Sequence, residues 1–465
     1  MSTLLKALAH ILLTVAAALT AHAAGAATDL LQAWQSARDH DPVFAAARAQ
    51  SQAGATRERQ ARALFLPQVS VTGSAGFMAT DRDTRGAQFS APGFGASNDA
   101  AFRTKINGGP AGSLALAAQQ PLYNVERLAS ARQMERQARV AALELRGAEQ
   151  DLILRVAQAY FDVVLAEETL VTLRAHRQAA ARALDEAKER FEAGATPVTD
   201  REEAQARYDD IGTGEILAEN ELEVKRLAFA HLTGKPATDL NRVAPGPRLD
   251  RFDMSPAADW LDRADRNNPR IAVQELAREI AEDEVDKYRG LTSPSVDLYA
   301  RIADERMQGG NGYGTTRIAS STATVGVQLT VPLFTGGMRS AKRDEAAALA
   351  QKAQSEARAL RQDVLRQTQA AWLAANTGLV RVQAHEQALR SAQSRLDATE
   401  TGKEVGARTM LDFMNAQTDF YRARRSLIQA KYQALLDRLR LAASAGVLSE
   451  SSLREVNAFL RAARY

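Results

Sequence analysis

Six histidines, no cysteine and two short glycine clusters are where bond-making chemistry could begin in this 465-residue chain. The histidines are scattered without the spacing that a metal site needs. The missing cysteine excludes a disulfide scaffold, a thiolate zinc or iron–sulfur site, a cysteine nucleophile and a lipid-anchored N-terminal cysteine. Gly93-Phe94-Gly95 and Gly309-Gly310-Asn311-Gly312 lead into no helix, so they read as loop tips and not as phosphate cradles. No nucleophile–base set stands in a supporting context. What remains is charge beside two glycine turns: Gly194-Ala195 is followed by Asp200, and Gly406-Ala407 by Asp412 at the same spacing. Such groups can pair, repel or recognise a partner without making bonds. The residues point away from an enzyme and call for no cofactor and no metal. Lys plus Arg at 59 against Asp plus Glu at 56 is also too balanced for a nucleic-acid binder.

The elements that position these groups come in duplicate. Asp41-Pro42 recurs as Asn268-Pro269 and Pro67 as Pro294, both offset by 227. Pro121-Leu122-Tyr123 matches Pro332-Leu333-Phe334 at 211, and Tyr160 matches Trp372 at 212, as do the two glycine turns. One length difference of 16 residues therefore lies between the prolines of each half. The organisation expected is a secretory signal over 1–27, a first repeat over 28–240, a linker over 241–261, a second repeat over 262–446 and a tail over 447–465. The signal rests on Lys6, an apolar stretch from Ala7 to Leu19 and small residues for cleavage. That stretch is shorter than the ~20 residues that cross a bilayer, and no later segment is long and uncharged enough.

Each half runs in the same order. A helical stretch (Pro42 to Leu66, Pro269 to Gly290) precedes two strands, expected over 68–78 and 112–122, then over 295–304 and 322–333. Long helices over 124–193 and 338–404 follow, and after the glycine turns come helices over 198–233 and 409–444. Val296, Leu298, Ala300 and Ile302 alternate with polar residues, as do Val325, Val327 and Leu329, which is the period of a half-buried strand. Strands of about ten residues suit an outer-membrane barrel. Four strands cannot close one, since the smallest need about eight, so the chain must pool strands with copies of itself. Segments 79–110 and 305–321 are expected as surface loops, and Phe77, Tyr123, Tyr299 and Phe334 as an aromatic girdle. In the long helices, Leu173, Ala180, Leu184, Ala187 and Phe191 form one seam and Val382, Leu389, Leu396 and Lys403 recur every seven, which predicts coiled coils.

Over nearly its whole mature length the chain resembles the TolC-type outer-membrane channel-tunnel proteins. The resemblance is carried by Asp29-Leu30-Leu31-Gln32-Ala33-Trp34 through Asp41-Pro42, by Pro332-Leu333-Phe334-Thr335-Gly336-Gly337, by Arg190-Phe191-Glu192-Ala193-Gly194 through Thr199-Asp200, and by Val405-Gly406-Ala407-Arg408-Thr409 through Asp412. It implies a mostly α fold with a small β part. Three copies would share a twelve-stranded barrel in the outer membrane of a Gram-negative cell, continued by a periplasmic α-helical coiled-coil barrel. It also implies docking to a periplasmic adaptor and an inner-membrane pump, either an ABC or a proton-driven one.

The resemblance further assigns places. Asp412 and Asn415 fall where the family projects an acidic ring into the periplasmic constriction. Three copies of Asp412 would repel and resist full ionisation, and Asn415 departs from the two-aspartate pattern. Thr199, Asp200 and Arg408 match positions that latch one helical hairpin to its neighbour. Lys403 stands where the family has an aromatic hydroxyl, and the sequence leaves open whether it pairs with Asp200. Gly194, Ala195, Thr196, Gly406 and Ala407 match the tips that meet the adaptor. The implied function is a passive exit duct serving type I protein secretion. Small-molecule efflux through the same architecture and a barrel-free periplasmic scaffold are the alternatives.

Overall fold

The structure is a computed structural model and describes residues 28–93, 95–243, 255–290, 292–310 and 314–461. The expected signal segment lies outside the described residues, as does most of the expected linker. In chain order the elements are α1 (Leu30–His40), α2 (Pro42–Ala63), β1 (Gln68–Ala91), β2 (Gly95–Asn124), α3 (Val125–Glu192), α4 (Val198–Thr233) and β3 (Arg242–Val243). Then follow α5 (Ala257–Asn267), α6 (Pro269–Lys287), β4 (Ser295–Gly310), β5 (Thr315–Thr330), α7 (Met338–Glu404), α8 (Met410–Ser444), α9 (Glu450–Asn457) and β6 (Leu460–Arg461). Among the described residues no helix is long and apolar enough to cross a membrane. Two compact units form, and neither follows the repeats: each takes segments from both halves.

The first unit contains the chain up to Ala53, Val140–Glu275 and the residues from Ser355 on. Its apolar core gathers Leu30, Trp34 and Phe44 with Leu152, Tyr160 and Phe161 of α3, Phe229 of α4 and Leu435 and Leu439 of α8. Two aromatic side chains in this unit spend their polar atoms on backbone carbonyls. The Tyr160 hydroxyl donates to the carbonyls of Thr28 and Asn241, both at 3.0 Å. Its repeat counterpart Trp372 donates Nε1–H to the carbonyl of Ser255 at 3.0 Å. Each aromatic thus fixes the backbone just before the short helix that opens its half.

The Asp-Pro and Asn-Pro corners explain why α1 and α5 stop where they do. Proline has no N–H for a continuing helix and fits the first turn of a new one. Asp41 ends α1, and its Oδ2 accepts the Phe44 N–H of α2 at 2.9 Å. Arg155 grips the same buried carboxylate at 2.6 and 3.2 Å. At the second corner Asn268 accepts from the Arg270 N–H at 2.9 Å and donates to the Ser444 carbonyl at 2.8 Å.

The second unit, Gly54–Arg139 with Leu276–Gln354, holds one antiparallel sheet of order β1-β2-β4-β5. Residues alternate across it. Val69, Val71, Phe77, Leu114, Leu116, Ile302, Val325, Val327 and Leu329 are exposed on one face. In register on the other stand Ser74 with Ser113, Ser113 with Glu305, and Glu305 with Ser320. Arg132 and Arg136 of α3 meet Asp283 and its helix neighbours on α6, and Arg339 of α7 reaches Glu126 at 2.7 Å.

Three expectations are corrected here. Segments 79–110 and 305–321 are mainly paired strand rather than loop, with β1 and β2 spanning 24 and 30 residues and β4 and β5 16 each. The alternation that marks a half-buried strand is absent where both faces of a ribbon are wet, so backbone pairing there leaves no apolar signature. β5 also ends at Thr330 instead of 333, since Pro332 has no N–H to give the ladder. Tyr299 does not join an outward girdle: its register partner is Gly326, and its ring lies where a Cβ of Gly326 would meet it at 2.9–3.1 Å, on the polar face.

The Arg155 contacts hold the Asp41 carboxyl below its ordinary value, helped by the Phe44 N–H. A depressed carboxylate stabilises the fold above its unfolded value of 3.8 and loses that contribution as pH falls through the lower native value. Asp41→Asn is expected to cost about 1–3 kcal/mol near neutral pH, with the difference from the parent shrinking below pH 3.8. Chemical denaturation followed by circular dichroism checks it, and equal stabilities at neutral pH would refute the role.

Candidate functional site: the paired helix turns

The α3–α4 and α7–α8 turns are built alike. In the first, Gly194 takes φ 69°, its N–H bonds the Phe191 carbonyl, and the Ala195 N–H bonds that of Arg190. In the second, Gly406 takes φ 76°, with Gly406 to Lys403 and Ala407 to Gly402. This helix-ending pair of bonds needs a left-handed residue, which glycine supplies without a Cβ penalty. Gly194, Ala195, Gly406 and Ala407 are consequently exposed, small and fixed in shape. The Thr196 hydroxyl is enclosed without a hydrogen-bond partner.

Helix starts differ between the two. α4 opens on Pro197 without a side-chain cap, with Asp200 in its first turn and Thr199 exposed. α8 opens on a reciprocal box: Thr409 Oγ1 accepts the Asp412 N–H at 3.0 Å, and Asp412 Oδ2 accepts the Thr409 N–H at 3.2 Å. Those hydrogen bonds from Thr409, with the charges of Arg408 and Arg395, lower the Asp412 pKa. Within one chain Asp412 therefore ionises more readily than an ordinary aspartate, opposite to the direction expected from a ring of like charges. Asn415 is engaged too, its Oδ1 accepting from Arg207 Nη2 of α4 at 3.0 Å.

The two hairpin ends are held side by side by Ala183, Leu184 and Ala187 of α3, Ala204 of α4, and Met410, Phe413 and Met414 of α8, with Leu396 and Tyr208 against them. Into this cluster comes Lys403. It is 7 % exposed, its Nζ lies 4.4 Å from the Phe413 ring centroid, and it donates to Glu186 Oε2 of α3 at 2.6 Å. Glu186 also takes Arg190 at 3.1 Å. Lys403 thus ties one hairpin to the other through Glu186 and not through Asp200. Arg408 is exposed and packs its stem over Gly402. The structure brings Lys403 and Asn415 to the inter-hairpin seam, keeps Asp412 on the Thr409 cap of its own helix, and leaves Thr199 and Arg408 at the surface.

Glu186, Phe413 and Arg207 were missed from the sequence. The heptad placed Lys403 on a buried seam, which demands a counter-charge, and Glu186 sits between seam residues Leu184 and Ala187. That was the available signal. Among the described residues no group of three or more acidic or histidine side chains could hold a metal ion.

The comparisons with known proteins agree with this architecture. The outer membrane efflux protein family matches residues 33–235 and 260–447. Outer membrane protein TolC of Vibrio cholerae is 29% identical over 439 residues, covering 94% of this chain and 95% of that one. Alkaline protease secretion protein AprF of Pseudomonas aeruginosa is 28% identical, covering 93% and 87%. Outer membrane protein VceC of Vibrio cholerae has the same fold, with a TM-score of 0.72 at 18% identity over 90% of this chain and 96% of its own. These matches to outer membrane proteins set aside a barrel-free scaffold. The chain belongs to the outer membrane efflux protein family, the TolC-type channel proteins of the outer membrane.

Proposed function

We propose that this protein is the outer-membrane exit duct of a tripartite export machine, conducting cargo passively from an inner-membrane pump and a periplasmic adaptor. The observation that carries the reading is the four-stranded sheet with one apolar face, one polar face and no partner for β1 or β5 at its edges among the described residues. In hydrocarbon those edge N–H and C=O groups must be paired. Three copies joining β5 of one to β1 of the next would make twelve strands with the polar faces inward, wide enough for a lumen.

At the periplasmic end the paired turns form the mouth. Asp412 and Asn415 line its constriction, and one carboxylate per chain gives a weaker cation preference than two would. Gly194, Ala195, Thr196, Gly406 and Ala407 present the small tips on which an adaptor hairpin docks. Closure is held by Thr199, Asp200 and Arg408 together with the Lys403–Glu186 ion pair. Ion pairs with a solvent-exposed partner are worth about 0–1 kcal/mol each, a link that a docking adaptor could outweigh.

Protein secretion is the favoured cargo class, supported by the 28% likeness to AprF, a protein named for alkaline protease secretion. The family's own description favours efflux as the second reading.

Lys403→Met, Asp200→Ala and Arg408→Ala are each expected to raise single-channel conductance in planar bilayers. Lys403→Glu combined with Glu186→Lys should return it toward the parent value, and unchanged conductance in every variant would sink the latch. Unheated samples should migrate as a trimer in detergent gels and fall to the monomer on boiling; a monomer before heating would refute shared strands. Deleting the gene should remove one or a few large extracellular proteins while sensitivity to dyes, detergents and antibiotics stays constant. The reverse pattern would assign the duct to efflux.

A further inference from the structure

The apolar core of the first unit and the seam between the hairpins are separate clusters strung on the same helices. On α3 the core ends at Leu170 and the seam begins at Ala183. The corresponding limits are Ala218 and Ala204 on α4, and Leu427 and Met414 on α8. A cavity of about 320 Å³ occupies this interval, and all of its lining residues fall between those limits.

Gly214 makes part of that space. Glycine weakens a helix interior relative to alanine, yet α4 carries both Gly212 and Gly214 near its middle. Gly212 is explained by packing, since a Cβ there would touch the Arg177 guanidinium at 3.6–3.7 Å. A Cβ on Gly214 would meet only Leu173 Cδ2, at 3.9 Å. The missing side chain serves no close approach and leaves the cavity open.

The walls differ in chemistry. Leu173, Ile211 and the His176 ring, stacked on Tyr421 at 4.5 Å between centroids, supply apolar surface. The hydroxyls of Thr172, Thr213 and Thr418 all donate to carbonyls of their own helices, and that of Tyr421 to Ala175. Donors left to face the cavity are Arg422, Arg425 and His176. Arg422 already meets Asp419 at 3.1 Å, whereas Arg425 forms no ion pair among the described residues. His176 is 7 % exposed and, among the described residues, makes no hydrogen bond. Burial and the charges of Arg425 and Arg207 lower its pKa to about 4, against the single opposing pull of Asp210. At neutral pH a neutral, unbonded imidazole therefore sits in a field short of negative charge. Such a buried polar group is costly until it finds a partner.

We propose that this cavity binds a small organic carboxylate with an apolar body, such as an aromatic or branched-chain acid. The carboxylate takes hydrogen bonds from Arg425 and the His176 ring N–H, and the body packs on Leu173 and Ile211 with Leu217 at the rim. A charge-assisted bond to a guanidinium is the strong contact here. The volume lies at the lower end of the range for small-molecule sites, about 300–1,000 Å³. The site stands on three helices of one chain and does not depend on the exit-duct reading.

Benzoate is the probe, with benzyl alcohol as its uncharged analogue and inorganic phosphate as charge without an apolar body. Calorimetric titration of the whole, detergent-purified protein should show saturable benzoate binding, with both analogues weaker by about tenfold or more. Absence of benzoate binding would overturn the site, and so would a side chain of an adjoining copy filling it. Equal binding of benzyl alcohol or of phosphate would overturn the ligand class. Gly214→Leu fills the cavity with a better helix former, and Arg425→Gln removes an exposed charge. Each should weaken benzoate by about tenfold or more while melting followed by circular dichroism stays that of the parent. Parent-like affinity in both variants would overturn the site. Carbon-13 NMR of the histidines reads the same contact in the unaltered chain, with the His176 signal identified by its loss in His176→Gln. Saturating benzoate should raise the His176 pKa above about 4, and an unmoved value would overturn the seat beside the imidazole.

Discussion

A sheet cannot keep an apolar face in lipid and leave its edge N–H and C=O groups unpaired there. Hydrocarbon offers no hydrogen bonds, and each open group costs several kcal/mol. Val325, Val327 and Leu329 commit one face of this sheet to an apolar surrounding, while β1 and β5 end it on both sides. The rest follows from that conflict. On the exit-duct proposal the strands are shared between copies, and the polar face with Ser74, Ser113 and Glu305 lines what they enclose.

Internal duplication supplies the second rule, and the two halves meet it with different chemistry. Tyr160 and Trp372 each donate to a carbonyl just ahead of a short opening helix, one by hydroxyl and one by indole N–H. Asp41 caps its corner as a charge held by Arg155, whereas Asn268 does so as a neutral amide reaching Ser444. Gly194 and Gly406 close identical turns. What is preserved is a donor, an acceptor or a positive φ at a place, and the residue type can drift around it.

This explains how far the sequence could be read. Prolines, glycine turns and heptads act locally, so helix ends fell within a few residues and Lys403 was already placed on a buried seam. Its partner lies 217 residues away on another helix, and no periodicity links the two. Phe413 and Arg207 were hidden for the same reason. The long ribbon was misread because pairing between strands wet on both sides needs no apolar residues. Ile106 is buried in a stretch rich in glycine and small polar residues, whose composition marks no core position. Asp412 carried a competing use, since a residue that caps its own helix is tuned by Thr409 before any other copy approaches.

The enclosure of Lys403 has an environmental consequence. Small ions pass the outer membrane, so groups on its inner side meet the salinity outside the cell. Exposed charges such as Arg408 weaken as ionic strength rises, because the screening length shrinks from about 30 Å at 0.01 M to about 8 Å at 0.15 M. A lysine only 7 % exposed, pressed on Phe413 and 2.6 Å from its carboxylate, lies inside any such length. Its grip on Glu186 is therefore nearly the same in fresh water and in brine, and a cell moving between the two carries the same resting hairpin geometry with it.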